Sequence, residues 1–144
     1  MSIRNSGLDR PRSAALTSGA VDEARELLCD VCRAAPDDDG LATRAAVLAL
    51  QHDQPALAVE LAEASLVEHP QSAPLFRVLG TAQYRQEQWQ AAHIAFEQAL
   101  DLDNTNALAY FLMGSTLSKL GQAEAADWHH RRARQLDPRY TVGR

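Results

Sequence analysis

The sequence predicts an all-α chain in which antiparallel helix pairs recur at a fixed interval, and three observations predict it. The first is a 34-residue period. Pro36, Pro70 and Pro138 fall on one phase, with Asn104 in the remaining slot, and in the same frame Gly80 pairs with Gly114, Leu79 with Met113, Leu66 with Leu100, Leu102 with Leu136 and Asp103 with Asp137. Ala24, Ala58, Ala92 and Ala126 share that spacing. Alanine coincidences carry little weight in an alanine-rich chain. Glycine and proline coincidences carry more, because both residues are scarce here and conformationally specialised. The second observation is helical spacing: Phe76, Leu79, Gly80 and Gln83-Tyr84 lie on one helix face, and Ala92, Ala95-Phe96 and Ala99-Leu100 repeat the pattern after a short break. The third is that no stretch alternates with the period of two that a strand requires.

The elements follow in order. Val21 to Ala34, closed by Pro36, reads as the second helix of a partial copy whose first helix is truncated near residues 11–18. Complete copies are expected over 39–72, 73–106 and 107–140, making residues 11–140 one domain with a partial copy at 11–38. Residues 1–10 are expected to be a flexible N-terminus, and 141–144 a tail. Gly19, Gly121 and Asp53-Gln54-Pro55 mark the turns within copies, with Pro55 suited to a first helical position. Pro36, Pro70 and Pro138 end the second helices, since none can continue one. A glycine inside a helix costs roughly 1 kcal/mol against alanine, so Gly80 and Gly114 are expected where helices cross closely. Each helix pair leaves an apolar face that only a neighbouring pair can cover, so the copies should stack into a superhelix. His130 and Arg134 stand at the phase of Phe96 and Leu100, which predicts a solvated end face acting as a C-terminal cap.

These residues resemble the tetratricopeptide repeat, a 34-residue helix-turn-helix unit. The best copy has Phe76 at the aromatic position, then Leu79-Gly80, Ala92, Phe96 and Ala99, closing on Leu102-Asp103-Asn104. The next has Tyr110, Met113-Gly114, Ala126, Ala133 and Leu136-Asp137-Pro138, while in the copy over 39–72 Ala42 and Ala46 replace the aromatic and the glycine. The resemblance implies a right-handed superhelical solenoid whose first helices line a concave groove that contacts a partner peptide. Carried over by position, the groove set is Thr43, Arg44, Val47, Leu50 and Gln51, then Arg77, Val78, Thr81, Tyr84 and Arg85, then Phe111, Leu112, Ser115, Ser118 and Lys119. This set mixes four cations with apolar groups and holds no carboxylate, inside a chain of net charge −5. It suits a protein segment with acidic groups flanking a hydrophobic anchor. Thr43, Val47, Val78, Leu108 and Leu112 stand where the chaperone-binding subclass carries its lysine, asparagine and arginine clamp, so a heat-shock co-chaperone is not expected.

Composition narrows the remaining classes. The 144 residues are 46% apolar and 23% charged, as for a folded chain, and a pI near 5.4 argues against non-specific nucleic-acid binding. Lys119 is the only lysine; with the wealth of alanine, the arginine bias suggests a GC-rich bacterial genome. Runs such as Ala45 to Leu50 are too short to cross a membrane, and residues 1–7 show no apolar leader, so a cytoplasmic protein is expected. Cys29 and Cys32 form a lone Cys-x-x-Cys inside a helix, without the second pair a structural zinc needs, and one of them is expected in the core. His129 and His130 are adjacent and point to different faces, while His52, His69 and His93 are scattered; no catalytic motif, metal site or cofactor site is expected. Trp128 falls at an ordinarily polar position beside Arg131 and Arg132. It reads either as a ring lying on its own helix or as a second contact surface or dimer interface. An adaptor or scaffold that binds a partner segment is therefore expected, and homo-oligomerisation stays open. The alternatives are a small secretion chaperone of this repeat type, holding an export substrate, and the regulatory part of an enzyme.

Overall fold

The computed structural model describes residues 22, 23, 25–27, 29, 30 and 39–140. The expected helix at 11–18, Cys32 and the tail at 141–144 lie outside them. The described residues between 22 and 30 are helical, and six helices follow. They are α1 (Asp39–Gln51), α2 (Pro55–Glu68), α3 (Ala73–Arg85), α4 (Trp89–Leu102), α5 (Ala107–Lys119) and α6 (Ala123–Leu136). No strand occurs among the described residues. The all-α solenoid of helix pairs is therefore the fold observed.

Local chemistry explains where the helices begin and stop. Ser72 Oγ accepts from the Leu75 amide and Asn106 Oδ1 from the Ala109 amide, so α3 and α5 each start on a capping side chain. Pro55 opens α2, where its missing N–H is no loss. Within each pair the turn repeats at the same phase. The amides of Gln54, Gln88 and Gln122 donate to the carbonyls of Ala49, Gln83 and Leu117 at 2.9 Å, closing the last turn of α1, α3 and α5. That closure needs a left-handed residue, and it falls on Asp53 (φ 58°), Glu87 (φ 62°) and Gly121 (φ 82°). Only the third is the glycine that such a conformation favours. At the repeat junctions, Asp103 and Asp137 each accept the amide two residues on, from Thr105 and Arg139, at 3.0 Å.

The core runs along the array rather than sitting at one centre. Leu57, Leu61 and Val78 join Ala46 and Ala58 at one end; Phe96, Met113 and Leu117 join Ala92 and Ala126 at the other. Cys29 packs partly buried against the first of these clusters, as expected for a core-facing thiol, and Arg25 ties the same segment to Glu60 at 2.7 Å. Inside the second pair, Phe96 is fully enclosed and its ring lies over Gly80, where an added Cβ would sit 2.7 Å from the ring. Gly114 stands in the same relation to the ring of His130, at 2.5 Å. The glycines thus make room for a ring rather than for a bare backbone crossing. His130 is consequently half-buried in the slot that Phe96 fills one repeat earlier, which corrects the expectation of a solvated position there. Arg134 is likewise half-buried; the polar end face is carried by the rest of α6, whose buried residues are only Ala126 and Ala133.

Successive first helices touch one another (α1 with α3, α3 with α5), whereas second helices make no comparable contact. The array therefore curves with α1, α3 and α5 on its inner side.

Two substitutions test this packing. Gly80→Ala, which propensity alone would make stabilising by about 1 kcal/mol, is expected to destabilise by about 1–3 kcal/mol, because the enclosed Phe96 ring has nowhere to move. Thermal denaturation at one pH reads the sign directly. Glu87→Gly should instead stabilise by about 0.5–1 kcal/mol by relieving the left-handed residue, since Glu87 is exposed and loses no packing.

Candidate partner-binding groove

The inner side of the curve is built from one face of α1, α3 and α5. Arg44 and Gln51 of α1 are exposed there, and Val47 is half-buried with one edge on the first core cluster. On α3, Arg77 is half-buried and Thr81 turns its hydroxyl back onto the Arg77 carbonyl at 2.8 Å. On α5, Phe111 and Ser115 are half-buried, and Ser118 and Lys119 are exposed. Phe111 is flanked by two further rings, His130 at 5.4 Å and Tyr140 at 5.5 Å.

Other residues expected to be available in the groove are committed elsewhere. Leu50 is buried between α1 and α2, its side chain part of the core. Arg85 donates from Nη1 to the Leu50 carbonyl at 2.8 Å, so its guanidinium closes the C-terminal end of α1. Tyr84 packs on the last core cluster and meets Trp89 edge-on at 5.0 Å. Lys119 holds its ammonium 5.5 Å from the Trp89 ring centre, a cation–π contact. Arg85 and Lys119 stay exposed in these contacts; Arg44, Gln51, Arg77 and Phe111, with Ser115 and Ser118, remain as the uncommitted chemistry of the inner face. Arg77 is the most constrained of them. Desolvation holds its pKa below the ordinary value, while Asp103 and Tyr140 pull it back up. Asp103 was not expected at this face; hydrogen bonds from the Thr105 side chain and amide hold its carboxyl below the ordinary range. Its side chain lines a narrow recess with Pro74, Arg77 and Asn106.

A family model described as a tetratricopeptide repeat matches residues 95–127. Solved structures agree over far more of the chain. The crystal structure of MamA superposes with a TM-score of 0.71 over 90% of this chain and 75% of its own, at 22% identity. MamA AMB-1 gives 0.66 over 88% and 75%, at 27% identity. The first TPR of Spaghetti (RPAP3), bound to the HSP90 peptide SRMEEVD, gives 0.66 over 68% and 78%, at 17% identity. Comparison with curated protein sequences found no significant match. The chain thus carries a tetratricopeptide repeat over residues 95–127 and shares the fold of these repeat structures.

The outer side carries Trp128, Arg131 and Arg132, singled out in the sequence as an alternative contact surface, together with a wall of His93, Glu97 and Asp101 that sequence reading missed. Trp128 is half exposed and stands edge-on to Tyr110 at 6.1 Å and to His129 at 4.9 Å. A cleft of about 500 Å3 separates α4 from α6, walled by His93, Glu97 and Asp101 on one side and Trp128 and His129 on the other. Across Trp128 lies a second cleft of about 500 Å3, lined by Arg131, Arg132 and Gln135. Arg132 also stacks 5.9 Å from the Tyr110 ring centre. The helical register alone would have shown that residues 93, 97 and 101 share a face. Nothing in the sequence showed that Trp128 faces them. Among the described residues no group of three metal-ligating side chains converges, and no helix is long and apolar enough to cross a membrane.

In the third repeat, His130 carries the one electrostatic cost visible at the groove's end. Its Nε2 is buried without a hydrogen-bond partner. Burial holds its pKa below the ordinary 6.5; Asp127 acts upward, and Arg134 and His129 downward. Between 6.5 and that lower folded value, the unfolded chain binds a proton that the folded chain does not. Stability is therefore full above about pH 6.5 and is lost as pH falls through that interval. His130→Phe, which copies the Phe96 arrangement, is expected to raise stability by about 1 kcal/mol and to flatten the acid side of a plot of melting temperature against pH. An unchanged acid slope in the variant would assign that loss to other groups.

Proposed function

We propose that this protein is an adaptor that holds a segment of a partner protein in the groove formed by α1, α3 and α5. The observation that carries the reading is the charge reversal on the inner face. Arg44, Arg77, Arg85 and Lys119 stand at the groove positions, with Asp103 beside Arg77 as a carboxylate at the same face, in a chain whose net charge is −5. The half-buried Phe111, flanked by His130 and Tyr140, offers an aromatic seat beside them. Arginine forks pair with carboxylates and aromatic surface takes an apolar anchor, so a segment carrying both fits best. The HSP90 peptide in the Spaghetti complex, SRMEEVD, is a segment of that kind held by a repeat domain of the same fold. Thr43, Val47, Val78, Leu108 and Leu112 offer no charged carboxylate clamp, so this chain would grip through Arg44 and Arg77 instead. Binding in the cytoplasm to a folded assembly distinguishes the adaptor from the secretion chaperone, which would yield a binary complex with one unfolded export substrate.

The half-burial of Arg77 and the bond from Arg85 to α1 make a double charge reversal at those two positions a poor test, since both would disturb the fold. Arg44→Glu with Arg77→Met removes the cations that no other element holds and keeps the buried stem. Affinity capture from the native organism should lose the wild-type partner about tenfold or more with this variant and should weaken as salt rises. Trp128→Ala should retain it. Normal capture by the groove variant, with loss on Trp128→Ala, would move the working surface to the outer side.

A further inference from the structure

The outer face poses a problem that the groove does not solve. Trp128 keeps 51% of its surface exposed, on a ridge between two clefts of about 500 Å3 each. The cleft on one flank is walled by Glu97 and Asp101, and the cleft on the other by Arg131 and Arg132. Glu97 and Asp101 form no ion pair among the described residues, and neither does Arg131; Arg132 is engaged only with Gln135, at 3.2 Å, and the Tyr110 ring. Opposite charges thus face outward on the two sides of an aromatic ridge without satisfying each other.

We propose that this ridge is the interface of a symmetric dimer of the chain. The argument is geometric. Let a two-fold axis lie in the plane of the surface, along the ridge. Rotation about it brings a second copy face to face with the first and exchanges the two flanks. The arginines of each copy then lie over the carboxylates of the other, twice, and Trp128 of each is covered at the centre. A patch with one charge sign on each side of an apolar ridge is self-complementary in this sense, as an isologous contact requires. A patch of one sign throughout would repel its own copy. A tryptophan beside arginines, enclosed by a polar rim, is also the composition of an interface hot spot. The occupant is therefore a second copy of this chain, because the chain itself supplies the matching charges in the matching order. The inner groove lies on the opposite side of the array and stays open in such a dimer.

Sedimentation velocity on the full chain, from micromolar to near-millimolar concentration, tests the proposal. Wild type should dimerise, and more weakly as salt rises. Trp128→Ala should weaken the dimer about tenfold or more while circular dichroism shows unchanged helix content. Two charge-reversed variants supply the decisive arm: Glu97→Arg with Asp101→Arg, and Arg131→Glu with Arg132→Glu. Each alone should be monomeric, because like charges meet on both flanks. An equimolar mixture should recover a dimer, since every carboxylate again meets a cation. Recovery also shows that neither variant failed merely by unfolding. A monomeric wild type at every concentration would overturn the proposal, as would two well-folded variants that stay monomeric when mixed. A dimer indifferent to both pairs but broken by Arg44→Glu with Arg77→Met would place the contact in the groove and overturn it equally.

Discussion

The architecture depends on a contact made possible by an atom that is missing. In the second repeat, the ring of Phe96 lies where the Cβ of any residue other than glycine would stand at position 80. Because a ring sits directly on the backbone of α3, the two helices of the pair are held at one distance and one rotation. The small residues at Ala92 and Ala95 then become buried instead of leaving a gap. Everything beyond the pair inherits that geometry. The face α3 turns toward α1 and α2, the face it turns inward, and the strip of α4 that looks outward are all set once the crossing is set. A solenoid has no single centre to correct a misplaced pair, so local precision at each crossing replaces the global core of a compact domain.

Much of this was legible because glycine and proline are read by position rather than by hydrophobicity. Gly80, Gly114 and the prolines at 36, 70 and 138 announced the interval, and the helical periodicity of Phe76 to Tyr84 announced the face. What stayed hidden follows a pattern. Asp53 and Glu87 occupy the same left-handed turn as Gly121, yet neither residue type signals that conformation, so the turn's regularity was invisible. Histidine at 130 reads as polar, but the adjoining glycine makes it a packing residue. The groove positions were carried over by register, and register says which way a residue points, not whether another element has claimed it. Arg85 points inward and is nevertheless spent on the carbonyl of Leu50, while Leu50 itself belongs to the core. The outer clefts needed side chains from α4, α5 and α6 at once, and no one-dimensional pattern joins those.

The two faces divide the chemistry. The inner side concentrates cations with an aromatic seat; the outer side sets carboxylates and guanidiniums on either flank of a tryptophan. Because helices separate these surfaces, one can be occupied without obstructing the other.

The bond from Arg85 to the carbonyl of Leu50 has a mechanical consequence. It spans from the end of α3 to the end of α1, bracing the first two walls of the groove beyond what apolar contact supplies. One repeat later the equivalent position is Lys119, whose ammonium sits over Trp89 instead, and α3 lies less closely against α5 than against α1. The contact between first helices is thus unequal along the array, hydrogen-bonded and more extensive between the first and second repeats than between the second and third. The first two walls of the inner side are therefore tied end to end by a hydrogen bond, whereas the third, which carries Phe111, turns its corresponding cation onto the Trp89 ring.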